Sequence, residues 1–487
     1  MRLRLALLLA ALSGFIALSY EIVWIRVFSM MSWGKASAFG ALLGAYLTGI
    51  AFGALYARRF CRAEGHRELR ALAWFILFAN LVGFLLVPLA AELARVAPVA
   101  WSLVLFALGA GLLGTTFPLI AHFGVDPDEH AGAGVSYLYG ANIVGSTAGS
   151  LLTGFVLLEL PIARVSVILA LAGLAVFFGI ARRWRETLVG ALFVVGCSLF
   201  LFDGLYEKMQ FKEEYEPGQR FALVIEGKSG VVTVTEDGTV YGGGVYDGKF
   251  NVDPKDDING IFRAYAPFAF RAPPKTALVI GMGSGSWTQV LASHPDVERV
   301  LVIEIGEDYL DVVRHSPVVR SILDNPKVEI VIDDGRRWML RHDETFDWIV
   351  QNTTYHFRAH ATNLLSREYL ELSRKHLNEG GLILYNTTRS KDAQRTGAMV
   401  FPYCWLVDNA MIVSDKPLIR DRARHREVLA NYVIDGKRLF DLPKDRETLE
   451  ALVADERWYS AEQVLARTEG AVVITDDNMA SEWAFLR

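Results

Sequence analysis

Three glycines alternate at Gly281, Gly283 and Gly285, directly after the apolar run Leu278-Val-Ile280. Glycines in that place let a backbone turn tightly and approach a ligand that a side chain would hold off. A second apolar run, Val300-Leu-Val-Ile, ends in Glu304, about 20 residues beyond the glycines, where a carboxylate reaches ribose hydroxyls. The acids Asp333 and Asp334, followed by Gly335, come after a third run, and Asn352 comes after a fourth. Together these residues are suited to holding a nucleotide-type ligand.

The elements that must carry them alternate. Strands are expected at 277–280, 300–304, 328–332, 348–351 and 382–386, and helices at 287–293, 307–315, 336–340 and 366–377. Apolar strands separated by helices imply a parallel sheet covered on both faces, with ligands at the carboxyl ends of its strands. Gly281, Glu304, Asp334 and Asn352 all stand at such ends, so four strands deliver groups to one crevice. Upstream, residues 221–251 alternate β-branched and polar positions between turns such as Glu236-Asp-Gly238 and Asp247-Gly248, which predicts a small antiparallel sheet. Residues 253–270 read as a helix.

The first 200 residues belong to another class of chain. With 487 residues, 52% of them hydrophobic, and a mean hydropathy of +0.27, the protein is too apolar for a wholly soluble one, and the excess lies before Tyr206. Runs long enough to span a bilayer fall at 5–24, 38–56, 71–91, 97–121, 135–158, 165–180 and 188–202. The first follows Arg2 and Arg4 but has no clean cleavage site, so it reads as a retained helix. Gly40, Gly44, Gly49 and Gly53, and Gly140, Gly145, Gly149 and Gly154, favour close helix packing over a transport path. Glu21 is an acid inside a span, a functional candidate that alternatively snorkels or pairs with Arg26.

Arg58, Arg59, Arg62, Arg67 and Arg70, and Arg182, Arg183 and Arg185, put their loops and the amino terminus in the cytoplasm. Seven spans would then leave the soluble half outside, whereas a nucleotide-type ligand is supplied inside. We place the soluble half in the cytosol, which requires 188–202 to be re-entrant or interfacial. Cys61, Cys197 and Cys404 have neither metal-like nor disulfide-like spacing, and no metal is expected. A net charge of −5 without a basic stripe in the soluble half argues against a nucleic-acid partner.

The order Gly-x-Gly-x-Gly, Val-Ile-Glu304, Asp333-Asp-Gly-Arg336, Phe346-Asp-Trp-Ile-Val350, Asn363-Leu-Leu-Ser-Arg-Glu-Tyr369 and Glu379-Gly-Gly381 resembles the spermidine synthase (polyamine aminopropyltransferase) family. More closely it resembles the branch with a multi-pass membrane domain in front. Ser13-Gly-Phe-Ile-Ala-Leu-Ser-Tyr-Glu-Ile-Val-Trp24 and Ile474-Thr-Asp-Asp477 are also similar to that branch. The resemblance implies an α-helical multi-pass membrane domain (1–206), a small antiparallel β domain (207–272), an α/β class I methyltransferase (Rossmann-like) domain (273–400) and a C-terminal extension packed on it (401–487). It implies S-adenosylmethionine or its decarboxylated form as co-substrate. Glu304 would bind the ribose hydroxyls and Asp334 the adenine amino group, with Gly281, Gly283, Ser284 and Gly285 against the ligand's tail and Asp333 and Gly335 beside them. Asp334 alternatively caps the next helix, a role compatible with the first.

The chain departs from the family where the chemistry happens. Soluble members end the fourth strand in paired aspartates and carry an aspartate in the glycine loop; here stand Asn352 with Tyr355, and Ser284. A carboxylate can bind an ammonium and accept its proton, and an amide can do neither. His356 and His360 are candidate substitute bases, or ordinary loop histidines. Asp476 and Asp477 either fold back over the site or form an exposed turn. The expected function is a membrane-bound transferase acting on a small amine or amphiphilic acceptor, with a homodimer as the expected assembly. The alternatives are an S-adenosylmethionine-dependent methyltransferase and a non-catalytic adenosyl-binding scaffold or sensor.

Overall fold

The computed structural model describes residues 3–61, 67–352, 354–454 and 457–486. Arg2 and Arg62, counted among the basic residues above, lie outside them, as does Thr353 of the Asn352–His356 segment. The chain forms two compact units, one of Met1–Phe221 with Glu226–Gly230, the other of Ala222–Ile225 with Val231–Arg487.

The first unit is helical: α1 (Leu3–Met31), α2 (Ser37–Ala57), α3 (Arg67–Val96), α4 (Trp101–Gly114), α5 (Thr116–Gly124), α6 (Ala131–Phe155), α7 (Ile162–Ala181), α8 (Trp184–Leu201) and the short α9 (Leu205–Phe211). Counting α4 with α5 as Trp101–Gly124, seven stretches among the described residues are long and apolar enough to cross a membrane. The break at Thr115 follows from Pro118, which lacks the N–H that Gly114 would receive and whose ring crowds that carbonyl. Half of the glycines singled out lie at helix contacts. A Cβ on Gly49 or Gly53 would strike the carbonyls of Ala107 and Gly111, and one on Gly145 or Gly149 those of Ala11 and Phe15. Such contacts bring α2 against α4 and α1 against α6, whereas Gly40, Gly44, Gly140 and Gly154 face open space. Glu21 is buried in α1, and Arg26 donates to the Leu158 carbonyl at 3.1 Å.

The reading of 188–202 as re-entrant or interfacial needs correction. Residues 188–201 fall in one uninterrupted 18-residue helix, α8, with Phe202 as its C-cap, which excludes a re-entrant turn before Leu201. Trp184, Leu188, Val189, Leu192, Phe193, Val195, Leu199 and Phe200 are exposed around it, so it lacks the polar face that an interfacial helix turns to water.

Further along the chain, β1 (Leu223–Gly227), β2 (Gly230–Val234), β3 (Thr239–Gly242) and β4 (Val245–Lys249) form a four-stranded sheet in sequential order. The expected helix over 253–270 shrinks to α10 (Phe262–Tyr265) and a 3-10 turn, Ala266–Ala269. Asn and Asp side chains win over the helix here. Asn251 Nδ2 donates to the carbonyls of Asp253 and Asp256 at 3.3 and 2.5 Å, and Asp257 accepts from the Phe262 N–H at 2.9 Å.

The main sheet follows: β5 (Thr276–Ile280), α11 (Ser286–Ser293), β6 (Arg299–Glu304), α12 (Asp308–His315), β7 (Val328–Ile332), α13 (Gly335–Met339), β8 (Phe346–Gln351), α14 (Arg367–Lys375), β9 (Leu377–Asn386), α15 (Lys391–Val400), β10 (Tyr403–Val407), β11 (Ala410–Ser414) and β12 (Trp458–Ser460). Its order is β12-β10-β11-β9-β8-β5-β6-β7. β7, β6, β5, β8 and β9 are parallel; β11 runs against β9, and β10 against β11. A parallel sheet wound outward from its middle, with an antiparallel strand inserted beyond the fifth, is the class I methyltransferase-like arrangement. Residues beyond 400 supply three strands to this sheet. Alternate residues bury on opposite faces: Ala277, Val279, Val300, Val302 and Val350 in one core, Leu278, Ile280, Leu301, Ile303 and Ile349 in the other. Each large side chain so buried contributes roughly 1.5–3 kcal/mol.

Candidate functional site

Strand order reverses between β5 and β8: β6 and β7 lie on one side of β5, β8 and β9 on the other. Ligands of doubly wound sheets bind in the crevice outside the carboxyl ends at such a point. The loops leaving these strands start hydrogen-bonded to the sheet, with Gly281 N donating to Ile303 O at 2.9 Å and Asn352 N to Ile280 O at 3.1 Å.

Two of the glycines are required by geometry. Gly281 has φ +82° and Gly283 φ +53°, and a Cβ on either would lie 3.0 Å from a carbonyl oxygen, that of Asn352 or of Asp247. The loop is tied down through Ser286, whose Oγ donates to Lys249 O at 2.9 Å and sits 3.0 Å from Ser284 Oγ. Gly285, at φ +78°, precedes α11 and packs against Val313, Ile322 and Val319.

Glu304 is 3% exposed. Its Oε2 accepts the Met282 N–H at 2.6 Å and its Oε1 the Gly306 N–H at 2.9 Å. Burial pushes its carboxyl above the ordinary 4.5, while the Gly306 and Met282 bonds oppose the shift and nearby Asp247 adds to it. A carboxylate offers about four lone-pair directions, more than the Met282, Gly306 and Gly283 amides fill. A buried acceptor pair, oriented by the backbone beside a glycine loop, suits the two hydroxyls of a ribose.

Asp334 Oδ1 accepts the Arg337 N–H at 2.7 Å and so caps α13. Asp333 accepts from Asp334 N at 2.7 Å and Arg337 Nε at 2.6 Å, and the Arg337 guanidinium holds its carboxyl below the usual range. A Cβ on the buried Gly335 would meet Ile280 Cγ2 at 2.6 Å, so this glycine brings α13 close to β5. Asp476 does fold back, but onto Arg336, which it grips through both oxygens at 2.8 and 2.5 Å, and it accepts from Ser366 Oγ at 2.7 Å. Asp477 is exposed.

At the end of β8, Asn352 Nδ2 lies 3.5 Å from the Cβ position of Gly283. Tyr355 stacks on Phe357 with ring centroids 5.2 Å apart. His356 turns to the loop after β9, its Nδ1 2.9 Å from Thr388 Oγ1, and burial lowers its imidazole below the ordinary 6.5. His360 is exposed at φ +66°. The glycine loop, Ser284, Glu304 and Asn352 therefore gather at one crevice, with His356 directed to Thr388 and His360 to solvent.

Three further residues line the crevice that the sequence reading did not single out. Asp247, on β4, accepts a hydrogen bond from Tyr309 Oη and faces Arg358 Nη1 at 3.7 Å. Tyr309, on α12, is held protonated by burial above all. The sequence reading of Asp247-Gly248 as a hairpin turn needs correction: both residues lie within β4, and the turn falls at Gly243-Gly244; the pairing of Asp247 with Tyr309 and Arg358 leaves no local pattern.

Residues 264–399 match the model of the spermine/spermidine synthase domain. The polyamine aminopropyltransferase of Streptococcus pneumoniae is 31% identical over 134 residues, 27% of this chain and 46% of that protein. That of Thermoanaerobacter sp. is 31% identical over 146 residues, 29% and 51% respectively. The chain thus spans about half the length of the curated relatives it matches. A spermidine synthase crystallised with the transition-state analogue AdoDATO aligns over 48% of this chain and 85% of its own, at 18% identity and a TM-score of 0.38, too distant to bear on any residue's role. Over residues 264–399 the chain is thus similar to the spermine/spermidine synthase domain, and before that stretch, among the described residues, stand seven helices long and apolar enough to cross a membrane.

Proposed function

We infer that the chain is a membrane-anchored transferase of the spermidine synthase type, taking S-adenosylmethionine or its decarboxylated form as donor. The observation that carries this reading is the buried Glu304 carboxylate, aimed by the Met282 and Gly306 amides at the carboxyl end of β6. Glu304 would accept both ribose hydroxyls, the Gly281–Gly285 loop would lie along the sulfonium side, and Asp334 would meet the adenine edge while capping α13. The donor supplies an activated carbon for attack by the acceptor. The protein's part is to hold donor and acceptor in line and to remove the acceptor's proton.

That last role favours an acceptor other than a simple diamine. Asn352 neither neutralises an ammonium nor accepts its proton, so aminopropyl transfer to putrescine should be slow, and methyl transfer to a small amine or amphiphilic acceptor is the companion reading. The same residue favours a second reading, an adenosyl-ligand sensor or scaffold without catalysis. Bilayer anchoring by the apolar helices, and a homodimer, complete the proposal. Thermal-shift measurements with S-adenosylmethionine, its decarboxylated form and methylthioadenosine test it: stabilisation by at least one is expected, and indifference to all three would refute it.

A further inference from the structure

We propose that Asp247 and Arg358 form a subsite for an α-amino-acid zwitterion, so that the pocket takes intact S-adenosylmethionine in preference to its decarboxylated form. The inference rests on the adenosyl reading of the pocket and narrows it. From Glu304 a continuous line of groups leads to the pair. The would-be Cβ of Gly306 lies 3.6 Å from Glu304 Oε1 and 3.1 Å from the Tyr309 ring, and Tyr309 Oη donates to Asp247. The Asp247 carbonyl abuts Gly283, and Gly248 abuts the Ser284 hydroxyl, with 2.8 Å from its Cβ position to Oγ. Asp247 therefore overlies the part of the glycine loop where the ligand's tail would run.

Arg358 comes from the loop after β8, its Nη2 3.1 Å from the Cβ position of Gly243. Its Nη1 donates to Thr354 Oγ1 at 3.1 Å and stands 3.7 Å from Asp247 Oδ2. That separation is within ion-pair range but beyond a hydrogen bond, so each group retains directions for a ligand. The two side chains are 10% and 26% exposed, enclosed enough for charge to count and open enough to be reached.

A methionine tail carries an ammonium and a carboxylate on one carbon. A carboxylate and a guanidinium a few ångströms apart complement it, the planar guanidinium being suited to bind a carboxylate through two N–H groups. A decarboxylated tail presents the ammonium without a carboxylate for Arg358, and brings a second cation close to that guanidinium to compete for Asp247. The two positions at which an acid would serve a purely cationic tail hold Ser284 and Asn352.

The test is calorimetry on the full chain in detergent with S-adenosylmethionine, its decarboxylated form and methylthioadenosine. The native protein is expected to bind S-adenosylmethionine about tenfold or more tighter than the decarboxylated form. Arg358→Met is expected to abolish that preference and leave methylthioadenosine, which has no charged tail, unchanged; Asp247→Asn is expected to weaken both charged ligands and spare methylthioadenosine. Equal or tighter binding of the decarboxylated form by the native protein would overturn the inference. So would a uniform loss for all three ligands in Arg358→Met, the mark of an ion pair that only ties two loops together. Failure of all three to bind the native protein would overturn the pocket reading itself, and this inference with it.

Discussion

Glu304 Oε2 accepts the Met282 N–H at 2.6 Å, so the acid ending β6 holds the glycine loop that leaves β5. The two motifs, about 20 residues apart in sequence, are one rigid unit in space.

Acid should release the ligand early. Burial raises the Glu304 carboxyl above 4.5, and the ionised form is the one that accepts two hydroxyls. Methylthioadenosine affinity should therefore fall with pH before an exposed glutamate would titrate. Stability runs the other way: between the ordinary and raised values the folded state keeps a proton that the unfolded state has released, so stability is lost as pH rises through that window. Glu304→Gln should flatten both profiles, measured by calorimetry and by thermal melts; pH-independent affinity in the native protein would contradict this.

Asp334 caps α13 through its bond to Arg337 N. Asp334→Ala should cost about 1 kcal/mol of stability, whereas Asp334→Asn, an equally good cap, should cost little. Denaturant melts of the two variants check it, and an unchanged midpoint in the alanine variant would show that the cap is dispensable.

Spermidine formation from putrescine should be poor. At neutral pH about one in 10³ molecules of an amine of pKa near 10 is unprotonated, and a positioned base typically contributes about 10² to 10⁴ in rate. Asn352→Asp should raise the rate by about tenfold or more. If His356 acts as the base, its lowered pKa keeps it unprotonated at pH 7, so activity should be level there, fall only in acid and disappear in His356→Ala. Native turnover of putrescine at rates typical of soluble enzymes would contradict the assignment.

Topology offers an independent check. The adenosyl reading predicts the second unit on the cytosolic side, where a fluorescent reporter fused to the carboxyl terminus would mature and a fused alkaline phosphatase would stay inactive. Seven crossings with Arg58, Arg59 and Arg182 inside would export it. The cytosolic placement therefore requires either an even number of crossings or basic loops on the outer side. Active phosphatase would leave the pocket without its expected ligand.

The sheet was legible because its strands are short apolar runs, each ending in a glycine or polar residue; Ile280, Glu304, Ile332 and Gln351 end their strands where the sequence put them. The seven apolar stretches were legible from length alone. What local pattern could not give was pairing over distance: Asp247 with Tyr309, Arg336 with Asp476, His356 with Thr388. The helix expected over 253–270 failed because Asn251 and Asp257 offer the backbone other partners. The break before α5 was visible in Pro118, a signal the hydropathy reading ignored.

Glu304 is predicted to bind the ribose of an adenosyl ligand. Calorimetric titration of the detergent-solubilised chain with methylthioadenosine, native against Glu304→Ala, tests it most directly. Two hydrogen bonds to a charged acceptor, each worth roughly 1.5–3 kcal/mol, predict at least about a tenfold loss of affinity. Unchanged affinity in a variant that still folds would contradict the claim.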